Sequence, residues 1–240
     1  MKNGPYFSEE ALRFLRGLKR NNRREWFEPR REVFEREIKQ PMLALIERIT
    51  EGMAEYAPGF MRPASKCLFR IYRDTRFAAD KSPYKTHLGA WWARNGLVKT
   101  SGGGFYIHIG STEFVIAAGA YMPEKDQLLA IRRHLLEHHA EWKRIIEQRA
   151  LLRVFSVHDP MALARAPKGF PAEHPAIEWI KWRQWGVTAH LPAETAVGAN
   201  LAKEIEKRFR LAAPLVGFLN APLARAERPR PVWRGGRVHG

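Results

Sequence analysis

The densest group of polar side chains in this sequence lies in residues 70–87, RIYRDTRFAADKSPYKTH. The group holds five cations and two carboxylates, namely Arg70, Arg73, Arg76, Lys81 and Lys85 with Asp74 and Asp80. Guanidinium groups bind phosphate or carboxylate through two parallel hydrogen bonds, and lysines add mobile point charge. Because the acids cannot neutralise the cations, the segment predicts an anion-binding site, with Tyr84 as a further ligand contact. The alternative is a set of internal ion pairs that fixes the loop, since surplus cations can face water.

A second group of reactive side chains lies in a predicted strand, where Tyr106 and His108 alternate onto one face. The same alternation is expected to bring Arg70 and Tyr72 to that face. A histidine beside cations has a lowered pKa and can act as a neutral base, so His108 and Asp74 are the candidate catalytic residues. The alternative for His108 is a packing role within the sheet.

Other motifs narrow the chemistry. Lys168, next to Gly169, is expected to approach the same pocket and contact the ligand. The pattern GxxxxGK[ST] is absent, which excludes P-loop nucleotide hydrolysis. His134, His138 and Glu141 share a helix face, but that face lies opposite the apolar stripe, where a solvated polar surface is expected. The sequence therefore predicts neither a metal site nor a cofactor.

The elements that must position these residues indicate an α+β fold. An antiparallel sheet meander at about residues 66–121 is expected between N-terminal and C-terminal helices. Alternation begins at Lys66, and residues 87–93, 104–110 and 113–121 are expected to be strands. Short connections between strands are typical of an antiparallel meander.

The helical segments are marked by apolar residues at helical spacing. Pro41 should kink the second helix or split it in two. A helix is expected from Met122 to about residue 152, followed by fifty irregular, proline-rich residues with one short helix at 176–185. A final helix should begin near Glu194 and be interrupted at Pro214.

The bulk composition bounds the class of protein. Apolar residues make up 45% of the 240 residues, enough for one domain over residues 1–220, with a flexible basic tail at 221–240. Cys67 is the single cysteine, which excludes an intrachain disulfide and fits a reducing compartment. No long apolar stretch and no signal-peptide pattern is found, so a cytoplasmic protein without membrane contact is expected.

The net charge of +16 favours polyanionic partners such as RNA or DNA. The alternative is a basic surface that reflects only an arginine-rich composition. Aromatic residues that could stack on bases are Trp91, Trp92 and the series Trp179, Trp182 and Trp185, although that series is also typical of a helix packing face.

Five segments occur in an order that resembles one known family. They are NNRREWF at 21–27, RIYRDTRFAADKSPYKTH at 70–87, GGGFYIHI at 102–109, AGAYMP at 118–123 and PKGFPAEHP at 167–175. Together they resemble the bacterial and fungal family filed as domain of unknown function 2461, from about Phe7 to Asn220. The resemblance implies a single domain with no established activity. It places a site at the motif positions Arg70, Arg73, Asp74, Arg76, Phe77, Asp80, Lys81, Pro83, Tyr84 and Lys85.

Three functions are compatible with these observations. The first is binding of a phosphate- or carboxylate-bearing small molecule between the 70–87 segment and the sheet, with a catalytic role left open. The second is a basic module for RNA or DNA. The third is a structural protein whose charged segment is fully ion-paired and which has no cavity. The first is favoured because acids are interleaved with the cations and a Pro83–Tyr84 pair is present.

Overall fold

An antiparallel five-stranded sheet is the centre of the computed structural model, which describes residues 5–97 and 102–224. The strands are β1 (His87–Ala93), β2 (Gly104–Gly110), β3 (Glu113–Ala120), β4 (Ser156–Val157) and β5 (Trp185–Pro192). Their order across the sheet is β1-β2-β3-β5-β4, and every neighbouring pair is antiparallel. The fold is therefore α+β, as the sequence predicts.

Helices precede and follow the first three strands. Those before them are α1 (Glu9–Arg20), α2 (Arg24–Phe27), α3 (Arg31–Phe34), α4 (Gln40–Gly52) and α5 (Ala64–Cys67). Those after them are α6 (Lys125–Glu137), α7 (His139–Ile146), α8 (Arg149–Leu152), α9 (Ile177–Ile180) and α10 (Leu201–Ala224). Short 3-10 turns cover Glu28–Arg30, Met53–Glu55, Pro58–Phe60 and Ala193–Val197.

The sheet has a core face and a second face, because successive side chains point to opposite sides. Phe105, Ile107 and Ile109 of β2 belong to the hydrophobic core, and α10 lies against β3, β2 and β5. Helix α10 buries a stripe that includes Phe209 and Val216 at the spacing of an amphipathic helix. The residues that alternate with the core residues along each strand, such as Tyr106 and His108 of β2, point to the second face, where the candidate site lies.

The strand expected from Lys66 is not formed. Residues Ala64–Cys67 are a short helix, and the following chain makes only isolated bridges, Leu68 with Ala90 and Tyr72 with Tyr84. Two hydrogen bonds flank the second bridge, so residues 71–73 run beside 83–85 as a narrow hairpin. The residues between them are mainly polar and have no apolar face to bury, which leaves them as a loop.

Strand β5 lies between β3 and β4 in the sheet. The sequence predicts instead a helix that ends at Trp185 and irregular chain after it, and this prediction is wrong. The composition of β5, WGVTAHLP, includes Gly, Ala and Pro, which have low β propensity. Pairing with β3 over eight residues, from Trp185–Ala120 to Pro192–Glu113, decides its conformation. The expected short helix is present only as α9.

Two prolines behave differently from each other. Before Pro41 the chain forms a π-helical turn, Glu35–Lys39, which separates α3 from α4. This turn replaces the regular α-helical hydrogen bonds at the point where the proline ring would clash with the preceding backbone carbonyl. Pro214 was expected to interrupt the last helix, but α10 continues through it. Burial of Phe209 and Leu215 on either side holds the helix together despite the missing hydrogen bond.

The tail expected at 221–240 begins inside α10, and residues 225–240 lie outside the described residues. Among the helices of the described part, none combines the length and the apolar character needed to cross a bilayer.

Candidate functional site

A cavity of about 480 Å³ lies on the second face of the sheet. Its walls come from β1, β2, β3 and β5, with Phe69 at one side and Tyr121 and His158 at another. The strand residues in its lining include Trp91, Tyr106, His108, Val115, Ala117, Gly119, Thr188 and His190. A volume of several hundred Å³ is typical of sites for small molecules.

Small residues make room for this cavity. A Cβ on Gly89 would lie 2.8 Å from the Tyr106 hydroxyl, so glycine lets the tyrosine lie across β1. Gly119, at φ +145, is paired with Gly186, and a Cβ there would lie 2.1 Å from the Trp185 carbonyl oxygen. The close approach of β3 and β5 thus depends on glycine.

The register of the strands aligns the polar residues. Gly89 pairs with His108, which pairs with Val115, which pairs with His190. One row of the sheet therefore carries both histidines, with Tyr106 one row further along the same face.

A chain of polar contacts runs along the cavity wall. The Tyr106 hydroxyl lies 3.1 Å from His108 Nδ1, and His108 Nε2 lies 3.5 Å from a Glu113 carboxylate oxygen. The other Glu113 oxygen lies 2.7 Å from His190 Nδ1. A carboxylate only accepts hydrogen bonds, so a neutral His108 places its proton on Nε2 and accepts at Nδ1 from the tyrosine.

Burial keeps the central pair neutral. It lowers the pKa of His108 to about 4, with a further lowering from His87 and an opposing effect from Glu113. Burial also raises the pKa of Tyr106 to about 12, assisted by Glu113. Near neutral pH the site therefore holds an uncharged imidazole and an uncharged phenol beside one carboxylate.

Two cations, Lys85 and Arg70, lie beside the β1 side of the cavity, but neither is among its lining residues. The ring of His87 lies 4.5 Å from that of His108, and burial and then Lys85 lower the pKa of His87. The Lys85 ammonium lies 5.1 Å from the ring centroid of Phe69, a lining residue. Burial and then Arg70 lower the pKa of Lys85. Within the described residues, neither Lys85 nor Arg70 forms an ion pair.

The face expected to combine Arg70, Tyr72 and Tyr106 is built differently. Phe69 is the residue that meets Tyr106, with ring centroids 6.4 Å apart. Tyr72 instead accepts a hydrogen bond from Arg31 at 2.9 Å. Without a continuous strand after Lys66, strict alternation does not govern where these side chains lie.

The middle of the 70–87 segment is an exposed loop whose charges pair with one another. Arg73 is ion-paired with Asp80, and Arg76 with Asp74 at 2.7 Å. Lys81 donates to the Thr75 carbonyl at 3.0 Å. Hydrogen bonds from Ser82 and then Arg73 hold the pKa of Asp80 well below its usual range, and those from Arg76 lower the pKa of Asp74.

Tyr84 and Lys168 do not line the cavity. Tyr84 is buried, its ring is stacked on Phe27 at 4.1 Å, and its hydroxyl donates to Glu28 at 3.1 Å. Burial raises its pKa to about 12. Lys168 is exposed beside Gly169, which adopts φ +87.

Sequence reasoning missed several members of the site, above all His87, Glu113 and His190. His87 closes the charged segment, and aligning the strands of a β1–β2 hairpin would have placed it near His108. Glu113 begins β3, so aligning the predicted β2–β3 hairpin would likewise have placed it near His108. His190 lies in β5, which the sequence pattern does not reveal. Among the tryptophans proposed for base stacking, Trp91 and Trp185 line the cavity, and Trp185 also belongs to the core, in which Trp92 is buried.

Two of the three residues that share the polar helix face, His134 and His138, have ring centroids 4.4 Å apart. In the part of the chain that the structure describes, no group of three or more potential ligands could hold a metal ion.

An α+β domain with a cavity on its sheet is the class that the fold and the site define. The family described as "Conserved hypothetical protein (DUF2461)" matches residues 10–218, and the chain belongs to that family. Neither a curated protein nor a solved structure matches the chain significantly.

Proposed function

We propose that this protein binds a small molecule with an apolar body and a phosphate or carboxylate group in the sheet cavity, and that His108 exchanges a proton with it. The observation that carries the proposal is the cavity of about 480 Å³ with an uncharged histidine–tyrosine pair in its wall. A mainly apolar pocket with a few convergent polar groups is typical of ligand sites.

The floor of the cavity favours an apolar, flat body. Trp91 and Val115 are buried yet stand outside the core cluster, because they face the cavity side of the sheet. Ala117 and Gly119 lie beside them and leave the sheet surface smooth. A ring could lie against this floor and gain hydrophobic stabilisation of about 25 cal/mol per Å² of buried apolar surface.

The β1 side of the cavity favours an anionic group. Lys85, His87 and Arg70 lie near one another there, as their mutual electrostatic effects require. Glu113, the acid among the residues just described, is already held by His190. A phosphate or carboxylate would find the positive charge of Lys85 and Arg70 on the side of Phe69 and His87.

His108 is placed to take up a proton when the anion binds. Its neutral state results from burial and from the neighbouring His87. An anion nearby raises a histidine pKa, so binding would be coupled to proton uptake, and the affinity would increase as pH falls toward about 4, the pKa of His108 without ligand. The carboxylate–imidazole–hydroxyl order of Glu113, His108 and Tyr106 also resembles the arrangement used for general acid–base catalysis.

The loop residues Arg73, Asp74, Arg76, Asp80 and Lys81 have a supporting role in this proposal. Their ion pairs and hydrogen bonds give the loop its shape, and Arg70 and Lys85 are the cations left for a ligand. Tyr84 anchors the hairpin base rather than contacting the ligand.

A thermal-shift screen against nucleotides, sugar phosphates and aromatic and aliphatic organic acids tests the proposal, because a ligand that binds the folded state raises the melting temperature. We expect one class of anion to give a shift that is lost in Lys85→Met and in Ala117→Phe, which fills the cavity. The shift should persist in Arg76→Gln, which removes a paired loop cation. A shift that survives both cavity variants, or the absence of any shift across the screen, would reject the cavity as the site.

A further inference from the structure

The N-terminal segment around α2 and the 72–84 hairpin form one continuous surface. The Asn22 side chain donates to the Tyr84 carbonyl at 2.8 Å and accepts from the Tyr84 amide at 3.1 Å. Phe27 stacks on the Tyr84 ring, and Arg31 donates to the Tyr72 hydroxyl. Residues far apart in sequence are thereby held side by side.

This surface is strongly basic. Its cations, called here the basic face, are Lys19, Arg20, Arg23, Arg24, Arg30 and Arg31 from the first segment and Arg73, Arg76 and Lys81 from the second. The acids among them are Glu25, Glu28, Asp74 and Asp80. Three of the cations form ion pairs, Arg31 with Glu28, Arg73 with Asp80 and Arg76 with Asp74. The other six form no ion pair within the described residues, and they are exposed to solvent.

Aromatic rings stand among these cations. Phe77, at the tip of the loop, is 95% exposed, with the Arg76 guanidinium 5.9 Å from its ring centroid. Because the Phe77 ring is almost wholly exposed, its faces are accessible to a base for stacking.

A second ring lies in a shallow cleft of about 380 Å³ lined by Arg23, Glu25, Trp26 and Arg30. The indole lies close against α1 because Gly17 has no side chain; a Cβ there would be 2.6 Å from the ring. Arg30 lies over the ring at 4.7 Å and is fixed by a hydrogen bond to the Trp26 carbonyl at 3.0 Å. A planar base could stack on the guanidinium or against the indole edge.

We propose that the basic face binds single-stranded nucleic acid, at a site separate from the sheet cavity. Unpaired arginines attract the phosphates, and exposed rings stack on bases of any sequence. In a duplex, stacking of adjacent base pairs covers the base faces and keeps them from Phe77, which favours single strands over duplexes. The Trp26 cleft, with the Arg30 guanidinium over the indole ring, offers a planar base a stacking site, which favours a nucleic acid over an acidic protein.

The dimensions agree with a short oligonucleotide. Phe77 is five residues from Tyr72, so the loop tip lies at most roughly 17 Å from the hairpin base. Single-strand sites on OB folds cover about 4–16 nucleotides, so an oligonucleotide within that range is long enough to test the site.

The test is fluorescence anisotropy of the full chain with labelled oligouridylate and oligothymidylate of about 12 nucleotides, and with a duplex of the same length. Contacts with about four phosphates should weaken binding about 50-fold between roughly 50 and 200 mM salt. The variant Arg23→Gln/Arg24→Gln/Arg30→Gln should lose at least about tenfold in affinity at the lower salt concentration. The matched control Lys143→Gln/Arg149→Gln/Arg153→Gln removes equal charge from exposed residues around α7 and α8 and should lose less than about twofold.

A second variant isolates the stacking. Phe77→Ala should weaken binding about tenfold without changing the melting temperature, because the ring makes little contact in the folded chain. The affinities for oligouridylate and oligothymidylate show whether the basic face prefers RNA or DNA.

Several results would overturn the proposal. Equal losses in the basic-face and control variants would show that only net charge acts. If polyglutamate or anionic lipid vesicles displaced the labelled oligonucleotide as effectively as unlabelled oligonucleotide does, that result would show a surface that binds any polyanion. Tighter binding of the duplex, an unchanged affinity in Phe77→Ala, or no binding at low salt would each reject a single-strand site.

Discussion

His108 is buried between titratable groups, and its state links the site to the stability of the fold. His87 stacks on one side of it, Tyr106 and Glu113 contact its two nitrogens, and His190 holds the far oxygen of Glu113. Burial lowers the pKa of His108 from 6.5 to about 4. Protonation of this ring in the folded protein therefore requires acid conditions, whereas the unfolded chain takes up the proton near pH 6.5.

The sign of the resulting pH dependence follows from linkage. As pH falls, the unfolded state binds this proton first, so the free energy of unfolding decreases between about pH 6.5 and pH 4. Below about pH 4 both states are protonated, and His108 causes no further change. The decrease amounts to at most roughly 3 kcal/mol. Glu113 acts in the same direction, because its pKa is lowered by His190.

The variant His108→Gln should make the free energy of unfolding less dependent on pH over this window. Urea unfolding at about pH 7 and pH 5 measures the difference, with stability referred to water by linear extrapolation. The control His138→Gln alters a histidine whose side chain is 46% exposed at the end of α6 and should retain the wild-type slope. A wild-type slope in His108→Gln would contradict burial as the cause.

At the scale of elements, the junction of β3 with β5 shapes the cavity, and Gly119 is its critical residue. Its φ of +145 is strained for any side chain, and a Cβ would lie 2.1 Å from the Trp185 carbonyl and 2.4 Å from Gly186 Cα. Because both neighbours are backbone atoms of the paired strand, they cannot move without opening the ladder.

The variant Gly119→Ala should therefore destabilise the fold by about 2–4 kcal/mol, measured by urea unfolding. Gly217→Ala is the matched control, since a Cβ there meets nothing within 4 Å. Gly217 lies inside α10, so alanine should stabilise the fold by roughly 0.5–1 kcal/mol. A Gly119→Ala protein as stable as wild type would mean that β3 and β5 are not packed as closely as described.

These elements also show how far the sequence could predict the fold and the site. β1 and β2 have the predicted bounds and β3 ends one residue early, because apolar alternation and short connections mark them directly. β5 was not predicted, because its conformation depends on pairing with a strand more than sixty residues earlier. Consequently Tyr106 and His108 could be placed on a common face from the sequence, and the predicted β2–β3 hairpin brings Glu113 near them, whereas His190 could not be brought there.

The 70–87 segment shows the same limit at closer range. Its composition predicts an anion site and equally an internal ion-pair network, and residue counts cannot separate the two. In the structure the loop from 73 to 82 is largely internally paired, while Arg70 and Lys85 remain without ion pairs near the cavity. Geometry rather than composition divides the segment into these two parts.

At the scale of the whole molecule, one hydrophobic cluster extends from Phe7 to Leu219. It joins the N-terminal helices, the sheet and α10; for example, Trp92 of β1 packs on Phe209 of α10 with ring centroids 5.6 Å apart. A continuous core of this extent supports our proposal that the residues up to about 220 form one domain, which should unfold as a single unit.

We expect tryptophan fluorescence and far-UV circular dichroism to give coincident urea transitions. Ile46→Ala in α4 and Leu135→Ala in α6 each remove a fully buried side chain. Helix α4 precedes β1 in the sequence, and α6 follows β3. Each substitution should shift the whole transition, by about 2–5 kcal/mol, because a cavity anywhere in one core weakens the entire unit. Leu152→Ala, at a leucine that is 45% exposed, should shift it much less. If Ile46→Ala moved only part of a biphasic curve while Leu135→Ala moved the other part, the N-terminal helices would be a separate folding unit, and the basic face could then be detached from the sheet and its cavity.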